Sequence, residues 1–178
     1  MPFALFWSPN GPVAKVTPIP ATGIPIPGTS VFRTYFDSAH GMAVTSGTFD
    51  LTGGDSVTVR CWSPGVVQRT KYFDIYLDSP SYLGKPGSGS VKVKAGDFSA
   101  TFDAAAYSSD LWIDDVSREQ LRQISSAHEA IFVVENSRDL RLNEDQLAQI
   151  RSLVAYTDTL PPSDFPPDDG ATSTTNGQ

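Results

Sequence analysis

The sequence predicts an α+β protein that is mainly β: an antiparallel β-sandwich or barrel-like sheet closed by a C-terminal helix–strand–helix segment. Before residue 113, short alternating apolar runs are interrupted every several residues by Gly, Pro, Ser or Asn, which is typical of strands joined by turns. After it, two amphipathic helical patterns flank one continuous apolar run. Gly and Pro number 14 each while charged residues are only 19%, below the ~25% of ordinary globular chains, as expected where many turns connect short strands.

Strand candidates follow one another through the first two thirds of the chain. The clearest alternation places Phe73, Ile75 and Leu77 on one face and Asp74 and Tyr76 on the other. We expect roughly six to eight strands of this kind. The candidates lie at 30–36, 42–51, 56–62, 66–77, 90–95, 98–102 and 107–113.

The C-terminal portion predicts helix, strand and helix. Ser117 with Gln120, and Asn143 with Gln146, have the spacing of a capping box at a helix start. The apolar run at 130–134 between them predicts a strand buried on both faces.

Length and texture divide the chain into three expected parts. The N-terminal residues 1–28 form a Pro-rich arm or strap, residues 29–158 form a single β-rich α+β domain, and residues 159–178 form a disordered acidic, Pro-rich tail.

The Ile-Pro pairs of the N-terminal part favour extended backbone, because proline disfavours helix at the preceding residue. Two interpretations stay open for Ile19, Ile24 and Ile26. They dock onto their own domain as a strap, or they form an arm that contacts a neighbouring subunit.

Charge and hydropathy exclude several classes of partner. The net charge of −7 argues against nucleic-acid binding, which needs a Lys/Arg surplus on one face. No apolar stretch approaches the ~18 residues of a membrane-spanning helix. The N-terminus lacks the features of a signal peptide, so we expect cytoplasmic synthesis or virion association, although a mature secreted chain with an added Met would look the same.

No catalytic or metal-binding set emerges. Cys61 alternates in phase with apolar residues, which predicts a buried structural thiol. His40 lies in a predicted turn, and His128 is expected to cap the first helix at its C-terminal end. A single cysteine and two distant histidines make no zinc site, and we expect neither a cofactor nor a metal. The acids at 110, 114 and 115 are interpreted as favoured by the following helix dipole.

Aromatic side chains are the remaining candidates for a binding surface. Trp62 and Tyr76 are out of phase with the apolar faces of their strands, and Tyr35 and Tyr72 could extend the same surface. Such rings stack on sugars or contact protein partners.

The function expected from these observations is non-enzymatic: a structural or protein-interaction module of a larger assembly, with a virion or tail component as one case. Its partners would be other proteins or further copies of itself. The first alternative is an extracytoplasmic carbohydrate-binding β-sandwich. The second is a hydrolase whose acidic site is assembled only by the fold.

Overall fold

The computed structural model describes residues 23–64, 69–70, 72–80, 82, 87–135 and 137–161. The expected contact residue Ile19, residues 83–86 and the residues of the predicted tail beyond Pro161 lie outside the described residues.

The described chain forms one ten-stranded sheet in which every pairing is antiparallel, together with two α-helices and a short 3₁₀ turn at Thr52–Gly54. The strands are β1 (Ile24–Pro25), β2 (Arg33–Asp37), β3 (Met42–Asp50), β4 (Ser56–Pro64), β5 (Tyr72–Asp78), β6 (Gly87–Ala95), β7 (Phe98–Tyr107), β8 (Asp110–Ser117), β9 (Ala130–Val134) and β10 (Leu140–Leu142). The helices are α1 (Arg118–Ser126) and α2 (Glu144–Thr159).

The spatial order of the strands is β1-β2-β3-β4-β5-β8-β7-β6-β9-β10. Strands β6, β7 and β8 are successive neighbours, and β5 lies beside β8, which makes a Greek key. The mainly β, α+β class predicted from the sequence is therefore confirmed. The sheet is open, since its order runs from β1 to β10 without a pairing between these two strands.

The core lies on one face of this sheet. Phe73, Ile75 and Leu77 of β5 are buried, while the residues between them face outward, as the alternation predicts. Helix α1 packs on β5, β6, β8 and α2, and supplies Leu121 and Ile124 to the same core.

Side-chain contacts link both ends of the sheet to other parts of the chain. The Gln149 side chain of α2 accepts hydrogen bonds from the backbone N–H groups of Ser30 and Val31, next to the β1–β2 end of the sheet. Near the other end, Arg138 Nε lies 2.7 Å from the buried Asp55 carboxylate, beside the β3–β4 connection. These contacts tie each end of the open sheet to a distant part of the chain.

Both helices begin where the capping boxes predict. The side chains of Ser117 and Asn143 accept hydrogen bonds from the backbone N–H groups of Gln120 and Gln146. Each glutamine side chain in turn accepts a hydrogen bond from the backbone N–H of its cap residue. No helix in the described part of the chain is long and apolar enough to cross a membrane.

Two local expectations need correction, and one strand was not predicted. Helix α1 ends at Ser126, so His128 does not cap it; the His128 side chain is exposed and its Nδ1 lies 2.8 Å from Glu144 Oε2. Strand β9 is fully buried on one face only, because Ile131 and Val133 are partly exposed. Strand β10, three residues long, has too little pattern to be recognised in the sequence.

Residues of the predicted arm enter the sheet. Strand β1 pairs with β2, and Ile26 is 2% exposed within the chain's own core, where the strap interpretation places it. Ile24 is 42% exposed, so a contact of Ile24 with another subunit stays a prediction. Ile26 would reach a second subunit only if the β1 segment left its own core.

Cys61 lies on the inward face of β4, as predicted. It is buried, and burial raises the pKa of its thiol to about 12. The thiolate is therefore strongly disfavoured in the folded protein, which agrees with a structural role.

Arg118, the first residue of α1, joins three elements. Its Nη1 donates to Thr157 Oγ1 at 2.8 Å and to Asp158 Oδ1 at 2.7 Å on α2, and its Nη2 donates to the Thr70 carbonyl ahead of β5. The guanidinium also lies 5.7 Å from the centre of the Phe73 ring. The side chain is only 14% exposed, so this charge depends on these partners in place of water.

We expect Arg118→Met to lower the free energy of unfolding by about 2 kcal/mol, because it removes charge-assisted hydrogen bonds to Thr157, Asp158 and the Thr70 carbonyl from a largely buried position. Arg122→Met is the matched control, since Arg122 pairs with the same Asp158 from an exposed position; it should cost less than about 1 kcal/mol. Urea unfolding of both variants measures the difference, and equal losses would contradict the role given to Arg118.

Candidate functional site

The outward face of the sheet carries a cluster of aromatic and charged side chains. The Arg60 guanidinium of β4 lies 5.3 Å from the centre of the Trp62 ring and 4.5 Å from the centre of the Trp112 ring. Both distances are within the range of cation–π attraction. We call Arg60, Trp62, Asp74, Trp112 and Asp114 the Arg60 cluster.

Strand alternation and register explain why these residues meet. Arg60 and Trp62 are two residues apart on β4 and therefore face the same side. Asp74 of β5 is directly opposite Arg60. Trp112 reaches the cluster from β8, which pairs with β5 on the far side.

Asp74 fixes the orientation of two neighbours. Its Oδ2 accepts a hydrogen bond from Trp62 Nε1 at 2.9 Å and from Arg60 Nε at 3.2 Å. All three side chains are partly buried, so these bonds orient the indole and the guanidinium.

Trp112 and Asp114 are the two members of the Arg60 cluster that are not hydrogen-bonded to Asp74. Trp112 Nε1 is buried without a hydrogen-bond acceptor among the described residues. Burial raises the pKa of Asp114, and the nearby charges of Asp74 and Asp115 raise it further. The expected contribution of the helix dipole at Asp114 stays a prediction, since desolvation and the neighbouring acids act on its pKa in the opposite direction.

All four predicted binding residues lie on this outward face. Trp62 belongs to the Arg60 cluster, and Tyr76 is directly opposite Trp112. Tyr72 is 50% exposed, two residues before Asp74 on the same face of β5. Tyr35 is 39% exposed and is separated from Trp62 in the register by Val44 alone. Their role in binding stays a prediction.

The β2–β3 turn borders the cluster. As predicted, His40 lies in this turn, where the Asp37 carboxylate accepts from the Ala39 N–H at 2.9 Å and lies 2.7 Å from His40 Nδ1. The His40 and Trp62 rings meet edge to face at 6.2 Å. The contact with His40 lowers the pKa of Asp37.

A pair of facing carboxylates lies beside the cluster. Asp78 and Asp110 are directly opposite each other on β5 and β8. Burial raises the pKa of Asp78, and the Asp110 charge raises it further. Burial, with Asp110 again adding to it, raises the pKa of Tyr76 to about 12.

Two facing carboxylates are what the hydrolase alternative expects, and the described cleft lies elsewhere. A cleft of about 280 Å³ lies instead between the β3–β4 connection and the start of α2, and neither Asp78 nor Asp110 lines it. The two arginines of that cleft are already paired, Arg138 with Asp55 and Arg141 with Glu129 and Asp139. Within the described ranges, no group of three or more His, Cys, Asp or Glu side chains is placed to hold a metal ion.

Sequence reasoning found Trp62 and Tyr76 but missed Arg60, Asp74, Trp112 and Asp114 as parts of one surface. The outward position of Arg60 was visible from its alternation with Cys61. The proximity of Trp112 was not, since it depends on the non-local pairing of β8 with β5.

Comparison of the chain with protein-family models, with curated proteins and with solved structures found no match.

The facing carboxylates predict a pH effect on stability. The folded protein holds a proton on Asp78 at pH values where the unfolded chain has lost it, so this group's contribution to stability falls as pH rises through the usual Asp value of 3.8 and above. We expect Asp78→Asn to be more stable than wild type near neutral pH, with the gain shrinking as the pH approaches 3.8.

Chemical denaturation between weakly acidic and neutral pH measures this difference. Asp97→Asn is the control, because Asp97 is an exposed residue of the turn between β6 and β7. A gain for Asp78→Asn that does not change with pH would contradict the assignment.

Proposed function

We propose that this protein is a non-enzymatic protein-interaction module that binds a protein partner through the outward sheet face centred on the Arg60 cluster. The observation that carries the proposal is the position of Arg60 between Trp62 and Trp112, on the face opposite the core. Trp, Tyr and Arg are the residue types that dominate binding energy in protein interfaces.

The cluster has the preorganisation that such a contact needs. Trp62 and Arg60 are held by Asp74, so little side-chain freedom remains to be lost on binding. Tyr35 and Tyr72 flank this centre with exposed rings. A rigid aromatic centre with exposed aromatic neighbours supports recognition by a protein surface.

Charge defines the chemistry of the partner. The positive charge of Arg60 is paired with Asp74, so it does not neutralise the other acidic side chains around the cluster. We therefore propose a partner that presents Lys or Arg side chains around an apolar centre. The outward acids near the cluster are Asp37, Asp78, Asp110 and Asp114.

Carbohydrate binding is the alternative, and one contact weighs against it. Sugars stack on open indole faces, whereas the Arg60 guanidinium covers a face of both Trp62 and Trp112. The virion or tail role expected from the sequence stays a prediction within the interaction class.

The test begins with capture of binding proteins by the full chain, identification of each, and titration of each purified candidate by calorimetry. We expect Trp62→Ala to weaken a true partner by at least about 2 kcal/mol, roughly thirtyfold, as for a central interface residue. Tyr72→Ser should also weaken binding.

Gln123→Ala is the control, since Gln123 is an exposed residue of α1, which packs on the opposite face of the sheet. Affinities unchanged by Trp62→Ala and Tyr72→Ser would contradict the proposal. A glycan-array signal that Trp62→Ala abolishes would replace it with carbohydrate binding.

A further inference from the structure

Strand β7 has an edge that pairs with nothing in the part of the chain that the structure describes. It pairs with β6 along its full length, from Phe98 opposite Ala95 to Ala106 opposite Gly87. It pairs with β8 only through Ala105, Ala106 and Tyr107. The backbone groups of residues 98–104 on the β8 side are therefore left without a ladder partner among the described residues.

The departure of β8 has a local cause. Beyond Trp112, β8 follows β5, and the register shifts between Ile113 and Val116. Asp115, within this shift, has a φ of 58°, which is uncommon for a residue other than glycine. The bulge lies just beyond Trp112, the last β8 residue that pairs with β7, and a bulge bends the strand that carries it.

The open edge is apolar on one side and weakly protected. Phe98 and Phe102 point to the core side but are only partly buried. Natural sheet edges are usually protected by Lys, Pro or very short strands. Residues 98–104 contain neither Lys nor Pro, and Asp103 is their only charged residue.

The sequence of this edge is complementary to itself. In an antiparallel pairing centred on Thr101, Phe98 would face Ala104 of a second copy, and Ala100 would face its Phe102. Each large ring is then opposite a small side chain. On the outward face, Thr101 meets Thr101 of the second copy, a cross-strand pair that can hydrogen-bond.

Charge favours the same register. Lys94 of β6 is opposite Ser99, and Ser99 would face Asp103 of the second copy. Lys94 and that Asp103 would then lie in the same cross-strand row, with one serine between them. Their backbones would be about 10 Å apart, a distance that the long lysine side chain can span. The twofold axis repeats this ion pair.

We propose that two copies of this chain associate through their β7 edges, in an antiparallel twofold pairing centred on Thr101 that continues the sheet from one subunit into the other. This surface is separate from the Arg60 cluster, so either proposal can fail without the other. A twofold interface of this kind is closed and self-complementary.

The test is the solution mass of the full chain by light scattering and analytical ultracentrifugation, up to about 1 mM. We expect a concentration-dependent dimer. Thr101 is exposed on the outward face, so Thr101→Lys and Thr101→Glu should fold normally by circular dichroism. Each variant alone places like charges directly opposite each other, and its dimer dissociation constant should rise at least about tenfold.

Mixing the two variants is the decisive step, because Lys then faces Glu and the dimer should return as a heterodimer. Thr48→Lys, at an exposed outward position of β3, is the control and should dimerise like wild type. The proposal is overturned by a wild-type monomer at every concentration, by a dimer that neither Thr101 variant weakens, or by a mixture that stays monomeric.

Discussion

The rest of the structure depends on the contacts of Arg118 at the start of α1. Arg118 directly follows the capping Ser117. The side chain that binds α2 therefore lies where β8 ends and α1 begins. Through Thr70 and the Phe73 ring it reaches the start of β5 as well. Because the guanidinium is largely withdrawn from water, these partners must be in place together, which fixes the two helices against the central strands.

Strand β8 links this constraint to both proposed surfaces. It lies between β5 and β7, so it brings Trp112 against Arg60 on one side. Beyond Trp112, through the bulge near Asp115, it stays paired with β5 and no longer pairs with β7 on the other side. One irregular strand therefore completes the outward aromatic cluster and leaves the β7 edge open, and both follow from the same Greek-key arrangement.

Much of the fold and part of the site could be predicted from local patterns. The capping boxes located both helix starts, and alternation assigned the correct faces of β5 and of Cys61. The same alternation placed Trp62 and Tyr76 outward. It could not find Trp112 or Asp74 as their neighbours, since those contacts join strands in an order that no local pattern encodes.

By itself, the sequence determined the α+β class, the two helix starts and the faces of the main strands, because capping and alternation act within a few residues. Only the tertiary structure decided that Ile26 fills its own core, that His128 pairs with Glu144 and not with a helix end, and that Asp78 faces Asp110. Each of these depends on strand pairing or helix docking between residues distant in the chain. Such contacts form only when the whole core is assembled, so their energies do not appear in any local stretch of sequence.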